Sequence, residues 1–336
     1  MPKVTQWESA IGRRIRLRDL FVFLTVLECR SMSKAAARLG VSTPSVSELV
    51  ADLEHAVGAR LLDRSHKGVA PTAYGEALQA RSLAAFDELR QGIRDIETIA
   101  DPECGEVRIG CPESTAAFLV PVIEHVAKRH PRIRFVTRQV QTPTVEFPEL
   151  LDRKVDLVIA RLVATPVAGQ PGDPFNAEIL MDDPFSAVVG AGSKWARRRK
   201  IDLAELAEAR WVLPSLDVLA GLMLSDAFRA RGLEPPQPHI TTFSIVLRNN
   251  LASRGDYISV LPRTVLRLGA DRYGLKELPI PLSSARRSSL AIVTLRNRSL
   301  TPSVRVFIES AREVAKQFSE PGSASSRTRS RGGGGV

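Results

Sequence analysis

The chain has 336 residues, 44% of them hydrophobic, which suffices for two or three packed domains and excludes a wholly disordered polypeptide. Lys and Arg outnumber Asp and Glu by 47 to 37, and a formal net charge of +10 favours nucleic acid as a partner, although basic soluble enzymes share that property. No stretch reaches the ~18 apolar residues of a membrane helix, the N-terminus lacks a signal-peptide core, and Cys29, Cys104 and Cys111 show no metal spacing, as in a reducing cytoplasm.

Three short helical patterns open the chain. From Leu17 to Cys29, the residues Leu17, Leu20, Phe21, Leu24 and Leu27 recur at three- and four-residue steps, predicting one inward face. Ser33 to Leu39 follows, with Ala35, Ala36 and Leu39 inward and Gly40 as a stop. The third pattern runs from about Pro44 to Val57, with Val46, Leu49, Val50, Leu53 and Val57 inward. Two short helices around a glycine turn are the helix-turn-helix pattern. The outer stripe of the third helix holds Pro44, Ser47, Glu48 and Ala51, with Ser45 beside it, all small or polar enough to enter a major groove. Ser42 and Thr43 precede Pro44; a hydroxyl cap and a proline at the first helical position leave free amides aimed outward, where a phosphate can bind. A three-helix bundle that never touches DNA has the same spacing. Beyond it, Leu61 to Ala70 predicts a wing in which Arg64, His66, Lys67 and Gly68 form a basic turn, read as a phosphate or minor-groove contact or as an ordinary solvated hairpin.

Leu17-Arg18-Asp19-Leu20-Phe21, the run SMSKAAARLGVSTPSVS from Ser31 to Ser47, Leu53-Glu54, Gly58, Leu61 to Arg64, and Pro71 to Gly75 together resemble the N-terminal winged helix-turn-helix of LysR-type transcriptional regulators. The chain departs from that pattern at Thr43, where the family often carries Gln, and at Glu48, where it often carries Arg or Lys. A glutamate there repels phosphate and can accept from cytosine. The resemblance implies DNA contacts from Ser33, Lys34, Ser42, Thr43, Pro44, Ser45, Ser47, Glu48, Arg64 and Lys67.

Residues 73–100 predict a linker helix about 40 Å long. Thr72 is placed to cap it, and Leu78, Ser82, Ala85, Leu89, Gly92, Ile96 and Ile99 form an imperfect heptad seam. Such a helix packs on its own domain or pairs with a second chain; pairing presents two recognition helices to a palindromic operator. Asp101 to Gly105 marks a hinge.

From residue 106 onward the rhythm is strand, helix, strand, which predicts parallel pairing. Strands are expected at Val107–Gly110, Ile133–Val140, Asp156–Leu162, Phe185–Val189, Trp211–Leu213, His239–Phe243, Tyr257–Leu261 and Ser289–Leu295, and helices at Ser114–His130, Leu216–Arg231, Ile245–Arg254 and Thr301–Phe318. This part resembles the family's effector domain, which is similar to periplasmic binding proteins. The expected architecture is a mainly α winged helix-turn-helix (15–72), a linker and dimerisation helix (73–100) and a two-lobed α/β effector domain (106–320), with lobe 1 at 106–163 and 270–320, lobe 2 at 164–269, and a disordered tail at 321–336.

In such lobes ligands sit beyond the carboxyl ends of parallel strands, where helix N-termini favour anions. That rule selects Glu113, Ser114, Thr115, Thr142, Arg161, Ser215 and Ser244 as effector contacts, though each hydroxyl has simple helix capping as its bland role and Arg161 a lobe-bridging one. A carboxylate effector suits the helix ends; a sugar or cation better tolerates Glu113. The run Arg197 to Lys200 reads as a solvated face, and Cys104 with Cys111 as a remote redox pair. No HExxH, phosphate loop, GxSxG elbow or paired CxxC is present, and the five histidines are scattered, so no catalytic residue, metal or cofactor is expected. The reading is a cytoplasmic, bacterial-type, ligand-controlled transcription factor. The resemblance implies homodimers assembled into homotetramers through antiparallel effector-domain contacts, and RNA polymerase is a further partner consistent with it. As a hypothesis, effector binding changes the angle between lobes and reorients paired DNA modules. The alternatives are an architectural DNA-binding protein without ligand response and a solute-binding module with a helical assembly domain.

Overall fold

A computed structural model describes residues 15–65, 68–100, 104–140, 146–163, 173–282 and 287–319. The chain forms two compact units, Met1–Ile93 and Arg94–Val336. Lys67, Thr142, the Asp101 end of the hinge and the 321–336 tail lie outside the described residues.

In the first unit, α1 (Leu17–Cys29), α2 (Met32–Leu39) and α3 (Thr43–Val57) enclose one small core. Ser31 caps α2 by accepting the Lys34 amide at 3.4 Å. Gly40 ends it at φ 67°, a left-handed conformation that costs a glycine no Cβ clash. Ser42 caps α3, and because the helix starts at Thr43, Pro44 is its second residue rather than its first. The position remains tolerant, since the first four amides of a helix have no partner inside it. Val46, Val50 and Leu53 of α3 are buried as the spacing predicts. The inward face of α1 differs: Val22, Phe23, Leu24, Val26 and Leu27 are buried, while Leu17 and Phe21 are exposed. This helix is apolar nearly all round, so periodicity could not choose the face that α2 and α3 cover.

The wing is the antiparallel pair β1 (Leu62–Ser65) and β2 (Gly68–Pro71), with Arg64 opposite Val69. Thr72 Oγ1 then accepts the Gly75 amide at 3.1 Å and opens α4 (Ala73–Ala100). A side chain at Gly75 would place Cβ 2.1 Å from the Leu61 carbonyl oxygen, so only glycine lets this turn pack on the wing. The expected seam on α4 divides. Leu78 packs on the unit's own core, as do Leu83 and Phe86 outside the seam, and Ser82 is buried, whereas Leu89 and Ile96 stand 50% and 67% exposed, with Ile93, also outside the seam, at 60%.

The second unit has two lobes. Lobe 1 is a five-stranded sheet in the order β4 (Ile133–Gln139), β3 (Gly105–Cys111), β5 (Leu157–Val163), β12 (Ser288–Leu295), β6 (Phe175–Asp182). β3 is parallel to β4 and β5; β12 runs antiparallel to β5 and β6. One sheet face buries Leu157, Ile159, Leu290 and Ile292 against α5 (Glu113–Arg129) and α10 (Pro302–Ser319). The other buries Val158, Ala160, Ala291 and Val293 near the short α6 (Pro148–Leu151). The alternation follows from the two-residue period of a strand.

Lobe 2 is built on β7 (Phe185–Gly190), flanked antiparallel by β10 (Ser259–Pro262) and β11 (Leu275–Glu277). β8 (Val212–Leu213) and β9 (Ile240–Thr241) pair in parallel beside it. α7 (Leu219–Arg229), α8 (Ile245–Ser253) and α9 (Arg263–Tyr273) supply its helices. Three expectations change here. The central pairs of lobe 2 are antiparallel, not parallel. β6 lies in the range expected for lobe 2 yet pairs with β12 in lobe 1. α9 and β11, which extend past the expected lobe 2 limit at 269, belong with it. Pairing partners so distant in sequence leave no local trace of which sheet a strand joins.

Candidate DNA interface and effector cleft

On α3 and the turn before it, Ser42, Thr43, Pro44 and Glu48 are exposed, while Ser45 and Ser47 are half-buried. Ser33 and Lys34 open α2 on the exposed side, and Ser31 Oγ lies 3.1 Å from Ser33 Oγ. Arg64 is exposed on β1. On α3 the apolar stripe Val46, Val50 and Leu53 is buried while these polar positions stay wholly or partly accessible. Glu54, not singled out from the sequence, locks the wing to this helix: its Oε1 accepts the amides of Leu61 at 2.7 Å and Leu62 at 3.1 Å. A carboxylate on an inward-turned position just ahead of a strand was the available signal.

In the second unit, Glu113 and Ser114 begin α5, which follows Pro112 without a side-chain cap. Thr115 is buried, and its hydroxyl lies 3.1 Å from the Pro112 carbonyl oxygen and 3.0 Å from that of Ile159. Its proton is committed inside the protein, which corrects its expected role as an effector donor. Both Nη atoms of Arg161 are likewise engaged, while its Nε is buried without a partner. Nη2 pairs with Asp183 Oδ2 at 2.8 Å, Nη1 donates to the Asp183 carbonyl at 2.9 Å and to Ser288 Oγ at 3.2 Å, and the guanidinium lies over the Phe185 ring. Both crossings between lobes, at Asp183 and before Ser288, are thus pinned by one arginine.

Ser215 is half-buried in the turn that leads to α7. Ser244 caps α8 by accepting the Leu247 amide at 3.2 Å. Across the lobes, Glu113 Oε1 accepts the Val246 amide of α8 at 3.3 Å. Arg248, missed in the sequence, is 4% exposed one turn further along α8; Nη1 donates to the Val260 carbonyl at 2.9 Å and Nε is buried without a partner. Burial pushes its guanidinium down to about 10, opposed by the Glu113 charge. Ile245, Arg248, Asn249 and Ala252 form the inward stripe of this helix, and two polar residues on such a stripe were the overlooked signal.

Elsewhere, a cavity of about 350 Å³ opens near the crossings, lined by Asp182, Phe185, Met223, Arg263, Ile280 and Arg287 among others, and none of the expected effector residues lines it. Arg198 pairs with Glu205 and lies over the Trp195 ring. Cys104 is exposed and Cys111 buried, and burial pushes the Cys111 thiol up, away from reactive thiolate. No helix among the described residues is long and apolar enough to cross a membrane.

Residues 17–76 match the bacterial regulatory helix-turn-helix family of the lysR type, and residues 100–316 match the LysR substrate binding domain. The chain belongs to the LysR family. It is a transcriptional regulator with a helix-turn-helix DNA-binding domain and an effector-binding domain. This LysR regulator is similar to the HTH-type transcriptional regulator GbpR of Azospirillum brasilense, with 26% identity over 90% of this chain and 87% of that one. Its fold is that of a full-length OxyR variant from Pseudomonas aeruginosa, with a TM-score of 0.61, 20% identity, and 88% and 97% of the two chains covered. CbnR, solved in complex with its target DNA, aligns with a TM-score of 0.60 at 18% identity over 89% of this chain and 100% of that one.

Proposed function

We propose that this regulator binds double-stranded operator DNA as a homodimer, or a homotetramer built from it, through Ser33, Lys34, Ser42, Thr43, Pro44, Ser45, Ser47, Glu48, Arg64 and Lys67. The observation that carries the reading is the exposed first turn of α3, whose small and hydroxylated side chains lie opposite a buried apolar stripe. Such a turn fits a major groove and presents orphan amides to phosphate. Dimerisation is supported by the uncovered Leu89, Ile93 and Ile96 stripe on α4. Two recognition helices then meet two half-sites about one DNA turn apart.

A small-molecule effector is held between the lobes, against the N-terminal turns of α5 and α8. Glu113, Ser114, Thr142, Ser215 and Ser244 are its proposed contacts. Regulation rather than catalysis is the chain's role, in the cytoplasm, with RNA polymerase as the machinery it addresses at a promoter. Selection of bound genomic fragments by the full-length protein tests this. Enrichment of a shared interrupted palindrome is expected. Binding without a common sequence would favour an architectural DNA protein, and no binding would leave the two-lobed domain as the working part.

A further inference from the structure

We propose that Arg30, in the turn between α1 and α2, is a further DNA contact whose guanidinium binds a backbone phosphate alongside Arg64 of the wing. The inference rests on the reading of the helix-turn-helix and wing as the DNA interface. It adds a residue that none of the expected contacts includes.

The first observation is the backbone. Arg30 ends α1 at φ 49° and ψ 25°, in the left-handed region. Among the described residues of this unit, the other positive-φ positions belong to Gly40, Gly58 and Gly68. A Cβ is strained there, and arginine lacks the short polar group with which asparagine or aspartate bonds its own backbone. Glycine would make the same turn without strain. Arg30 is exposed, so core packing does not repay that strain, and the side chain is the reason for its presence.

The second is placement. The Arg30 carbonyl accepts the Val69 amide of β2 at 3.1 Å, and Val69 is the cross-strand partner of Arg64. Arg30 therefore borders β2 on the edge away from β1, two strand spacings or about 10 Å of backbone from Arg64. Duplex DNA carries one charge per about 1.7 Å of axis, so two cations so spaced serve separate phosphates. A Cβ at Gly68 would stand 2.7 Å from the same Arg30 carbonyl oxygen, a close approach that fixes the wing to this turn. Along the chain, Ser33 and Lys34 follow within one helical turn. Proposed contacts thus bracket Arg30 on both sides. Its guanidinium has no ion pair or hydrogen bond among the described residues, and Glu28, two positions earlier, is taken by Arg38 at 2.7 Å. A planar guanidinium with its donors uncommitted matches phosphate geometry.

The test is Arg30→Gly in the full-length protein, with Arg30→Lys beside it. Glycine removes the charge and relaxes the turn. Tm should hold or rise while DNA affinity falls about tenfold or more per bound module. The slope of log affinity against log salt should shrink by about one per module. Both effects should appear on a duplex carrying the enriched palindrome and on an unrelated duplex of equal length, since a phosphate contact carries no sequence information. Arg30→Lys keeps the charge and should keep the slope. Should R30G melt well below wild type, Arg30→Asn, which tolerates the left-handed turn, supplies the same comparison. Weaker binding with an unchanged salt slope would assign the effect to the turn's backbone and overturn the proposal. Salt-dependent binding by wild type that R30G leaves intact would overturn the Arg30 contact alone. No salt-dependent binding by wild type would remove the DNA reading together with it.

Discussion

Arg161 and Asp183 form a buried ion pair, Nη2 to Oδ2 at 2.8 Å, at the point where the chain passes from one lobe of the effector unit to the other. Asp183 also accepts the Thr264 amide at 2.9 Å and a short bond from the Thr264 hydroxyl, so one carboxylate ties β5, the crossing strand and the start of α9. Removing either partner strands a buried charge. Arg161→Ala and Asp183→Asn are each expected to destabilise the effector unit by about 3–5 kcal/mol. Urea unfolding checks this. A loss within about 0.5 kcal/mol, the range of an ordinary surface substitution, would show that the pair does not hold the crossing.

Asp156 is a second buried carboxylate, paired with Arg108 and Arg298 and with Arg94 at 3.9 Å. Arg108 donates to it from its backbone amide at 2.8 Å and from Nη2 at 2.6 Å, and Arg298 Nη2 donates at 2.8 Å. Burial by itself would raise this carboxyl, but the Arg108 hydrogen bonds and the charges of Arg108 and Arg298 outweigh it and hold it below the usual carboxylate range. A lowered folded pKa means the native state binds the proton less readily than the unfolded chain. The stabilisation is therefore present above the unfolded value of about 3.9 and is lost as pH falls through the folded value. Asp156→Asn should lower stability at neutral pH and flatten its decline toward acid. A parallel downward shift at every pH would contradict this account.

Glu54 tests whether the wing is positioned by α3. Glu54→Ala leaves the Leu61 and Leu62 amides without their acceptor and should cost about 1–3 kcal/mol. DNA affinity should fall although Glu54 is not among the proposed contacts, and the salt dependence should drop by about one unit if Arg64 is lifted from phosphate. Glu54→Gln, which keeps an acceptor oxygen, should restore most of both. Failure of that rescue would mean the charge, not the hydrogen bonds, sets the wing.

Ile93→Glu addresses the exposed stripe of α4. Burying an isoleucine contributes about 1.5–3 kcal/mol, and each 1.4 kcal/mol lost weakens association about tenfold. Sedimentation of the full-length protein should show a shift to monomer, with loss of affinity for a two-half-site DNA. An unchanged mass would place the dimer contact elsewhere.

The sequence by itself determined the local features. The hydroxyl cap at Ser42, the Gly40 stop and the apolar steps of α3 specify the helix-turn-helix, because capping, left-handed glycine and a 3.6-residue period act within a few residues of one another. Tertiary structure alone decided the rest. It rotated α1 so that Phe23 faces inward and Phe21 outward, moved β6 into the lobe 1 sheet, and divided the α4 stripe into a covered half and an open half. It also committed Thr115 and Arg161 to internal partners and set Arg248 against Glu113. Glu113 and Val246 are 133 positions apart, so no local preference of either residue could encode their meeting; only the packing of two lobes places a carboxylate at that amide.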